Sequence, residues 1–230
     1  MLSAQQELHN NEDVKIYQNH EEAAKALDNL GIDLQVLVEA IQVAESRSQE
    51  ITSFYPKTAA GLERWITTVG VTRTGLANMD TESWESEDPT LKPLMRNKER
   101  GIILSFAAGT ADTGRTDGFP QVKRKQGKVA HALHSQPNEQ PAIDGIDELI
   151  RVLGNDSENP AHDKVWVLLY HRDESEIRAE VSLPVGISDG EFSGWKQRII
   201  LDPYIPNDVK AKPLDIGGGD VDFEVIPFNA

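Results

Sequence analysis

Residues 165–201 read VWVLLYHRDESEIRAEVSLPVGISDGEFSGWKQRIIL, and this segment decides the fold. Its first six residues form a β-type run with no polar position, so both faces of that strand must be covered and the strand belongs at the centre of a sheet. From Ile177 to Leu183, apolar and polar residues alternate with the period of a half-exposed strand. A further apolar strand follows the turn-rich residues 188–190. The segment therefore predicts three consecutive antiparallel strands.

Three helices are predicted in the first part of the chain. Residues 20–30 contain good helix formers and are followed by Gly31, at which a helix would stop. Asp33 is placed to cap a second helix, in which apolar residues recur at spacings of three and four. A third helix with the same spacing is expected to pack on the first two. Its apolar positions are Leu62, Trp65, Ile66 and Val69.

Further segments complete the predicted architecture. Residues 102–107 are apolar and bounded by glycines, which is typical of a strand that could pair with the later three. Residues 143–153 have the spacing of a short helix, and residues 221–225 alternate as an edge strand would. We therefore expect an α+β protein, with an N-terminal helical unit packed on an antiparallel β-sheet built from 101–108 and 165–201. The expected divisions are an N-terminal arm (1–17), the helical unit (18–79), an acidic connector (80–100) and a sheet region (101–230) that carries a basic loop (109–130) and a C-terminal tail.

The composition excludes several classes of protein. The absence of cysteine excludes disulfides, thiolate zinc sites and cysteine nucleophiles. No apolar run approaches the length of about 18 residues that indicates a membrane span. The first residues lack the basic and apolar regions of a secretion signal. We therefore expect a cytoplasmic protein that does not bind a membrane, and no feature of the sequence predicts a cofactor.

The charge of the chain is unevenly distributed. The formal net charge is −15 at pH 7, which opposes non-specific binding to nucleic acid. Residues 101–135 are the exception, because they contain two acidic and five basic residues. Glycine and proline separate the basic residues, so these are expected on an exposed loop rather than on a helix. The candidate residues for binding an anion or a nucleic acid are Arg115, Lys123, Arg124, Lys125 and Lys128.

The start of the basic loop has two interpretations. Residues 109–116, GTADTGRT, follow a predicted strand and match the spacing of a phosphate-binding P-loop, except that Arg115 stands in place of the lysine. The glycine and proline that follow oppose the helix that a P-loop requires. The other interpretation is a glycine-rich connection in which Asp112 and Asp117 cap turns.

Three residues are candidates for catalysis. Asp112, Asp117 and His171 could hold a divalent metal in a hydrolase or nuclease, because carboxylates and imidazoles are suitable ligands. His171 begins the tripeptide His-Arg-Asp of a kinase catalytic loop, but the other kinase motifs are missing. A kinase is therefore excluded.

Two other patterns carry less information. His131 and His134 lie three residues apart and could share one face of a helix, but a metal site would need a third ligand. The residues that could supply it are Asp144, Asp147 and His162. The histidine pair is therefore not predicted to form a metal site. The first two helices have the order of a helix-turn-helix, although the second would carry three glutamates and one arginine. The charge of the second helix opposes contact with DNA, so no DNA-reading helix is predicted.

The segment 165–201 resembles a pattern in uncharacterised bacterial proteins. The resemblance rests on residues 165–173, on 176–184, and on Trp195 with 198–201. It implies a bacterial origin and a shared scaffold, and it assigns no catalytic residue.

These observations predict a non-enzymatic accessory or interaction protein of a bacterial system, of the mobile-element or phage-defence type. It would contact a protein partner, or a second copy of itself, through its acidic faces, and an anionic ligand or nucleic acid through residues 115–128. Two alternatives are left open. One is a metal-dependent hydrolase or nuclease that uses Asp112, Asp117 and His171, and the other is a structural subunit of an oligomer.

Overall fold

The computed structural model describes residues 14–79, 84–88, 92–134 and 163–206. Within them, the strands are β1 (Lys15–Tyr17), β2 (Trp84–Glu87), β3 (Leu94–Asn97), β4 (Ile102–Ala108), β5 (Lys164–Arg172), β6 (Ile177–Ser188) and β7 (Glu191–Ile200). The helices are α1 (His20–Asp28), α2 (Leu34–Gln49), α3 (Ala59–Ala77) and α4 (Lys128–His134). The predicted helix 143–153 and edge strand 221–225 lie outside the described residues.

The strands form one sheet in the order β1-β7-β6-β5-β4-β3-β2, so β5 is its middle strand. Each residue from Val165 to Tyr170 is buried, which confirms that the apolar run is covered on both faces. β5, β6 and β7 follow one another as antiparallel neighbours. The prediction of three consecutive antiparallel strands from 165–201 is therefore confirmed.

The prediction that the whole sheet is antiparallel is wrong at two places. β4 pairs with β5 in parallel, from Ile102 opposite Lys164 to Ala108 opposite Tyr170. β1 also runs parallel to its neighbour β7. A parallel pair needs a long crossover connection, and residues 109–163 supply one between β4 and β5. The sheet is mixed, and the fold class is α+β as predicted.

Helices α1, α2 and α3 cover one face of the sheet. Asn19 accepts a hydrogen bond from Glu22 N–H at 2.8 Å at the start of α1. Asp33 does the same for Gln35 N–H at 2.8 Å, which confirms its predicted role as the cap of α2. One apolar cluster joins helices and sheet. Its fully buried members include Leu27, Leu37, Leu76, Leu104, Leu168 and Val181.

The basic loop, α4 and the end of the β6–β7 hairpin cover the other face. The pairing of β6 with β7 shifts register between Leu183 and Ile187, and such bulges bend a strand pair. Phe192 and Trp195 then pack with Ala107, Val167 and Leu169 in a second apolar cluster. This second face also carries the candidate residues for binding.

Candidate anion-binding site

The glycine-rich part of the basic loop, residues 109–118, is held against the sheet by hydrogen bonds. Gly114 N–H donates to Glu180 Oε2 at 2.9 Å. The guanidinium of Arg198 donates to the carbonyl of Gly118 at 2.9 Å. Residues 109–118 are therefore a packed part of the domain.

This segment lacks the geometry of a P-loop, which presents backbone N–H groups to phosphates and leads into a helix. Turns occupy residues 111–117, with no helix. Several backbone N–H groups already have acceptors within the chain, namely those of Gly109, Thr113, Gly114, Arg115 and Gly118. Asp112 accepts a hydrogen bond from Phe119 N–H at 3.4 Å. The interpretation as a glycine-rich connection therefore fits the segment, and the P-loop interpretation does not.

A buried ion pair between β6 and β7 lies beneath this segment. The side chains of Glu180 and Arg198 are 0% and 1% exposed, and Arg198 Nε donates to Glu180 Oε1 at 3.1 Å. Ser182 also donates to Glu180 Oε1, at 2.8 Å. Buried charges are tolerated when they are paired and hydrogen-bonded in this way. Neither charged residue was identified as buried from the sequence, in which Glu180 occupies a polar position of an alternating strand and Arg198 follows two other polar residues.

The rest of the basic loop is anchored through its backbone and through Gln121. The side-chain amide of Gln121 donates to Phe192 O at 2.7 Å and accepts from Phe192 N–H at 2.8 Å. Lys123 N–H donates to Ala108 O at 2.9 Å. Gln126 N–H donates to a carbonyl of the β6–β7 turn at 2.8 Å. The main chain on either side of the central basic residues is thus fixed to β4 and to the hairpin.

The predicted basic residues are divided between three places. Lys123, Arg124 and Lys125 are consecutive and exposed. Arg115 lies in the glycine-rich turns, where its Nε is 3.4 Å from Asp117 Oδ1. Lys128 is the first residue of α4. The longest run of consecutive exposed basic residues in the described loop is therefore 123–125.

His171 lies near the end of β5 and contacts the start of the basic loop. Its Nδ1 is 3.1 Å from Gly109 O. A carbonyl only accepts, so Nδ1 carries the proton and Nε2 carries the lone pair. Burial is the largest cause that lowers the pKa of His171; the Gly109 hydrogen bond opposes it, and the positive charges of Lys123 and Arg178 add to it. His171 is therefore neutral at pH 7.

Asp112 and Asp117 do not join His171 in a metal site. Both carboxylates are exposed, on turns of the loop. The hydrogen bond from Arg115 lowers the pKa of Asp117, as expected for a carboxylate in a surface ion pair. The described part of the chain contains no group of three or more histidine, aspartate or glutamate side chains arranged to hold a metal. A metal-dependent hydrolase therefore gains no support from these residues.

The other candidate histidines lie on α4. The ring of His134 meets the edge of the Phe192 ring, with centroids 5.6 Å apart. Burial, with a smaller contribution from the charge of Lys92, lowers the pKa of His134 to about 3. This histidine is consequently neutral and acts as a packing residue. The acids and histidine proposed as a third metal ligand lie outside the described residues.

Comparison with known proteins adds no relative. The chain matches no protein-family model, no curated protein and no solved structure. Among the described helices, none is both long enough and apolar enough to cross a membrane.

Proposed function

We propose that this chain is a non-enzymatic accessory protein of a bacterial mobile-element or phage-defence system, and that it binds the phosphate backbone of nucleic acid through the basic loop. The observation that carries the proposal is the exposed run Lys123, Arg124 and Lys125, set on anchored backbone in a chain of net charge −15. Lys128 and Arg115 extend the same loop along the chain.

The anchoring favours binding on physical grounds. A flexible loop loses conformational freedom when it binds, and that loss opposes association. The hydrogen bonds of Lys123 and Gln126 to β4 and to the hairpin fix the backbone before any ligand arrives. Cationic side chains that meet a phosphate backbone release its counterions, which supplies most of the affinity of sequence-independent binding.

The acidic residues on the opposite side of the sheet suggest a second contact. The exposed acids of α1, α2 and their caps include Glu21, Glu22, Asp28, Glu39 and Glu50. Such a surface repels nucleic acid and attracts a basic protein surface. We therefore propose that the helical face contacts a protein partner while the basic loop contacts nucleic acid.

The test replaces Lys123, Arg124, Lys125 and Lys128 together by alanine. Binding of a fluorescent single-stranded oligonucleotide is followed by anisotropy over a series of salt concentrations. In a plot of log affinity against log salt, each lost phosphate contact should reduce the slope by about 0.7. We expect the variant to lose its salt-sensitive binding and to keep the thermal unfolding temperature of the parent protein.

A matched control removes four positive charges elsewhere. Lys25, Arg47, Lys57 and Lys196 are exposed, and their replacement by alanine changes the net charge by the same amount. This control should retain most of the binding if the location of the charge matters. Equal losses in the two variants would show that binding depends on net charge alone. Unchanged binding in the loop variant would refute the proposal.

A further inference from the structure

The outer face of helix α3 carries no charge. Every residue of this helix is described, and those that are exposed are Ile66, Gly70, Thr74 and Ala77. Their spacings of four, four and three place them in one stripe along the helix. In a chain in which 27% of the residues are charged, an exposed stripe without charge is a candidate contact surface.

The charged residues of α3 are all bonded within the chain. Arg64 pairs with Glu45 of α2 at 2.9 Å. Arg73 donates to backbone carbonyls of β2 and β3 at 2.6 and 3.0 Å. Glu63 accepts a hydrogen bond from the hydroxyl of Thr67 at 3.0 Å. Arg64, Arg73 and Glu63 are half-buried, so the exposed stripe is left to uncharged side chains.

Bulky apolar residues lead into the N-terminal end of this stripe. Phe54 and Tyr55, in the turn before α3, are 97% and 55% exposed. The turn is fixed by its backbone, because Tyr55 N–H donates to the carbonyl of residue 52 at 3.0 Å and Ala59 N–H donates to that of residue 56 at 2.9 Å. Two adjacent exposed aromatic side chains beside an uncharged helix face are typical of a protein–protein contact.

The stripe is bulky at one end and small at the other. Its N-terminal half contains the partly exposed Leu62 and Ile66, and its C-terminal half contains the short residues Gly70, Thr74 and Ala77. If two α3 helices lie antiparallel and cross near Ile66, the aromatic turn of each copy lies over Ala77 of the other, and Leu62 lies opposite Gly70. Large side chains then meet small ones, and opposite ends of the two helix macrodipoles lie side by side. The stripe is thus complementary to itself.

Charge also favours a second copy of the chain as the occupant of this surface. With a net charge of −15, two copies repel each other over most of their surfaces. The acidic helices α1 and α2 attract a basic partner, whereas the stripe of α3 has no charge with which to do so. On this stripe, two copies can meet without bringing like charges into contact.

The available area is sufficient for a specific dimer. An exposed aromatic side chain offers about 150–250 Å² of surface. One face of α3, with its 19 residues, is about 28 Å long and about 10 Å wide. Together with the aromatic turn, this face would bury roughly 600 Å² per copy, which is the lower end of the range for specific interfaces.

We propose that two copies of this chain pair in antiparallel fashion through the exposed stripe of α3 and the turn at residues 54–55. The two-fold axis of this dimer passes near Ile66. The inference does not depend on nucleic-acid binding. Its consequence for the proposed function is that each dimer carries two basic loops.

Sedimentation equilibrium of the full chain over a range of concentrations tests the pairing. The measured mass should rise from that of one chain towards that of two. Ile66→Glu places two carboxylates opposite each other at the axis, so it should weaken dimerisation by at least about ten-fold. Gln42→Glu adds the same charge at an exposed position of α2 and should leave dimerisation unchanged. Thermal unfolding shows whether each variant is folded.

Cysteine substitution provides a second test, because the chain contains no cysteine. A disulfide requires Cα atoms about 4.4–6.8 Å apart, and facing residues at a close helix crossing meet this requirement. Ile66→Cys should therefore form a disulfide-linked dimer in the presence of oxidised glutathione. Glu39→Cys is the matched control, because residue 39 is exposed on α2; it should give little cross-linked product.

Three outcomes would overturn the proposal. The first is a parent protein with the mass of one chain at every concentration, whether its α3 face is left open or binds a different protein. The second is a dimer that Ile66→Glu leaves intact, and the third is equal cross-linking through residues 66 and 39. The mass of the parent and the cysteine variants decide the question even if Ile66→Glu does not fold.

Discussion

At the scale of a single residue, Arg198 links the sheet to the basic loop. Its guanidinium contacts Glu180 and donates to the carbonyls of Arg115 and Gly118. The side chain is 1% exposed, so solvent cannot replace these partners when they are lost. The buried side chain of Arg198 and the turns of the loop therefore both hold the loop in position.

Replacement of Arg198 by methionine should destabilise the protein strongly. The change leaves the carboxylate of Glu180 buried without a counter-charge, and removal of one partner of a buried pair costs about 3–5 kcal/mol. Urea denaturation of parent and variant measures the free energy of unfolding. The double variant Glu180→Gln, Arg198→Met removes both charges and should recover part of the loss. A single variant as stable as the parent would contradict the role given to the pair.

The burial of this pair could not be predicted from the sequence. In β6, Arg178, Glu180 and Ser182 alternate with apolar residues, and that pattern indicates an exposed face. In the structure Glu180 and Ser182 are fully buried, because the basic loop covers them. A loop has no periodicity by which the sequence reveals what it covers.

At the scale of the secondary-structure element, the packing of α2 on α3 depends on small side chains. Ala40 and Ala44 are buried on α2, and Gly61 is buried on α3. A Cβ added at Gly75 would lie 2.5 Å from Val36 Cγ1. The helices thus approach each other more closely than larger residues would allow. Glu45 of α2, which pairs with Arg64 of α3, completes the contact.

Two glycines of α3 provide a matched test of this close approach. Gly75→Ala should destabilise the protein, because the new methyl group would overlap the stiff, branched side chain of Val36 and overpacking costs about 1–3 kcal/mol. Gly70→Ala meets no atom within 4 Å, so it should stabilise the helix by about 0.5–1 kcal/mol. Urea denaturation of both variants gives the comparison. Equal changes in unfolding free energy would show that packing at Gly75 is loose.

Elements with strong local signals were predictable, whereas β1, β2 and β3 were not, since the sequence indicated an arm at 1–17 and an acidic connector at 80–100. The cap at Asp33 and the three strands of 165–201 are as predicted, because both have strong local signals. The predicted packing position Ile66 is 50% exposed, whereas Thr68 and Thr72 are buried. The buried face of α3 therefore combines threonines with Gly61, Val69 and Leu76. Strand direction was predicted wrongly for β4, since an apolar run has no direction.

The candidate site shows the same division between local and non-local signals. The basic run 123–125 was visible in the sequence as a local excess of charge, and its residues are exposed. The neighbourhood of His171 was not visible, because Gly109 and Arg178 approach it only through the pairing of β4, β5 and β6. Its tautomer follows from a backbone carbonyl, which no sequence pattern records.

At the scale of the whole molecule, the sheet separates two surfaces of opposite charge. The acidic helices α1 and α2 cover one face, and the basic loop covers the other. The loop also joins α4 and the hairpin in one layer, where the ring of His134 meets the ring of Phe192. The stability of this layer should therefore respond to the protonation of His134.

Acidification should destabilise the protein through His134. The pKa of this residue is lowered to about 3 in the folded protein, against about 6.5 in an unfolded chain. The unfolded state therefore binds more protons between these values, and the free energy of unfolding falls as the pH falls through this range. Urea denaturation between pH 7 and pH 4 measures the slope. His134→Phe, which keeps an apolar ring beside Phe192, should show a shallower slope; a slope equal to that of the parent would contradict the assignment.

The parallel pairing of β1 with β7 has a consequence for biosynthesis. Residues 15–17 meet residues 197–199, so the first described strand leaves the ribosome long before its partner has been translated. In the same way, β4 is synthesised well before β5. The backbone groups along one edge of β4 have no strand partner until residue 170 has left the ribosome. Pairing between segments that are distant in the sequence is slow, because the entropy of closing the intervening chain is lost before the contacts contribute any free energy. The nascent polypeptide therefore passes through a period in which the apolar edge of β4 is open to other chains, and this interval is when the protein most needs a chaperone.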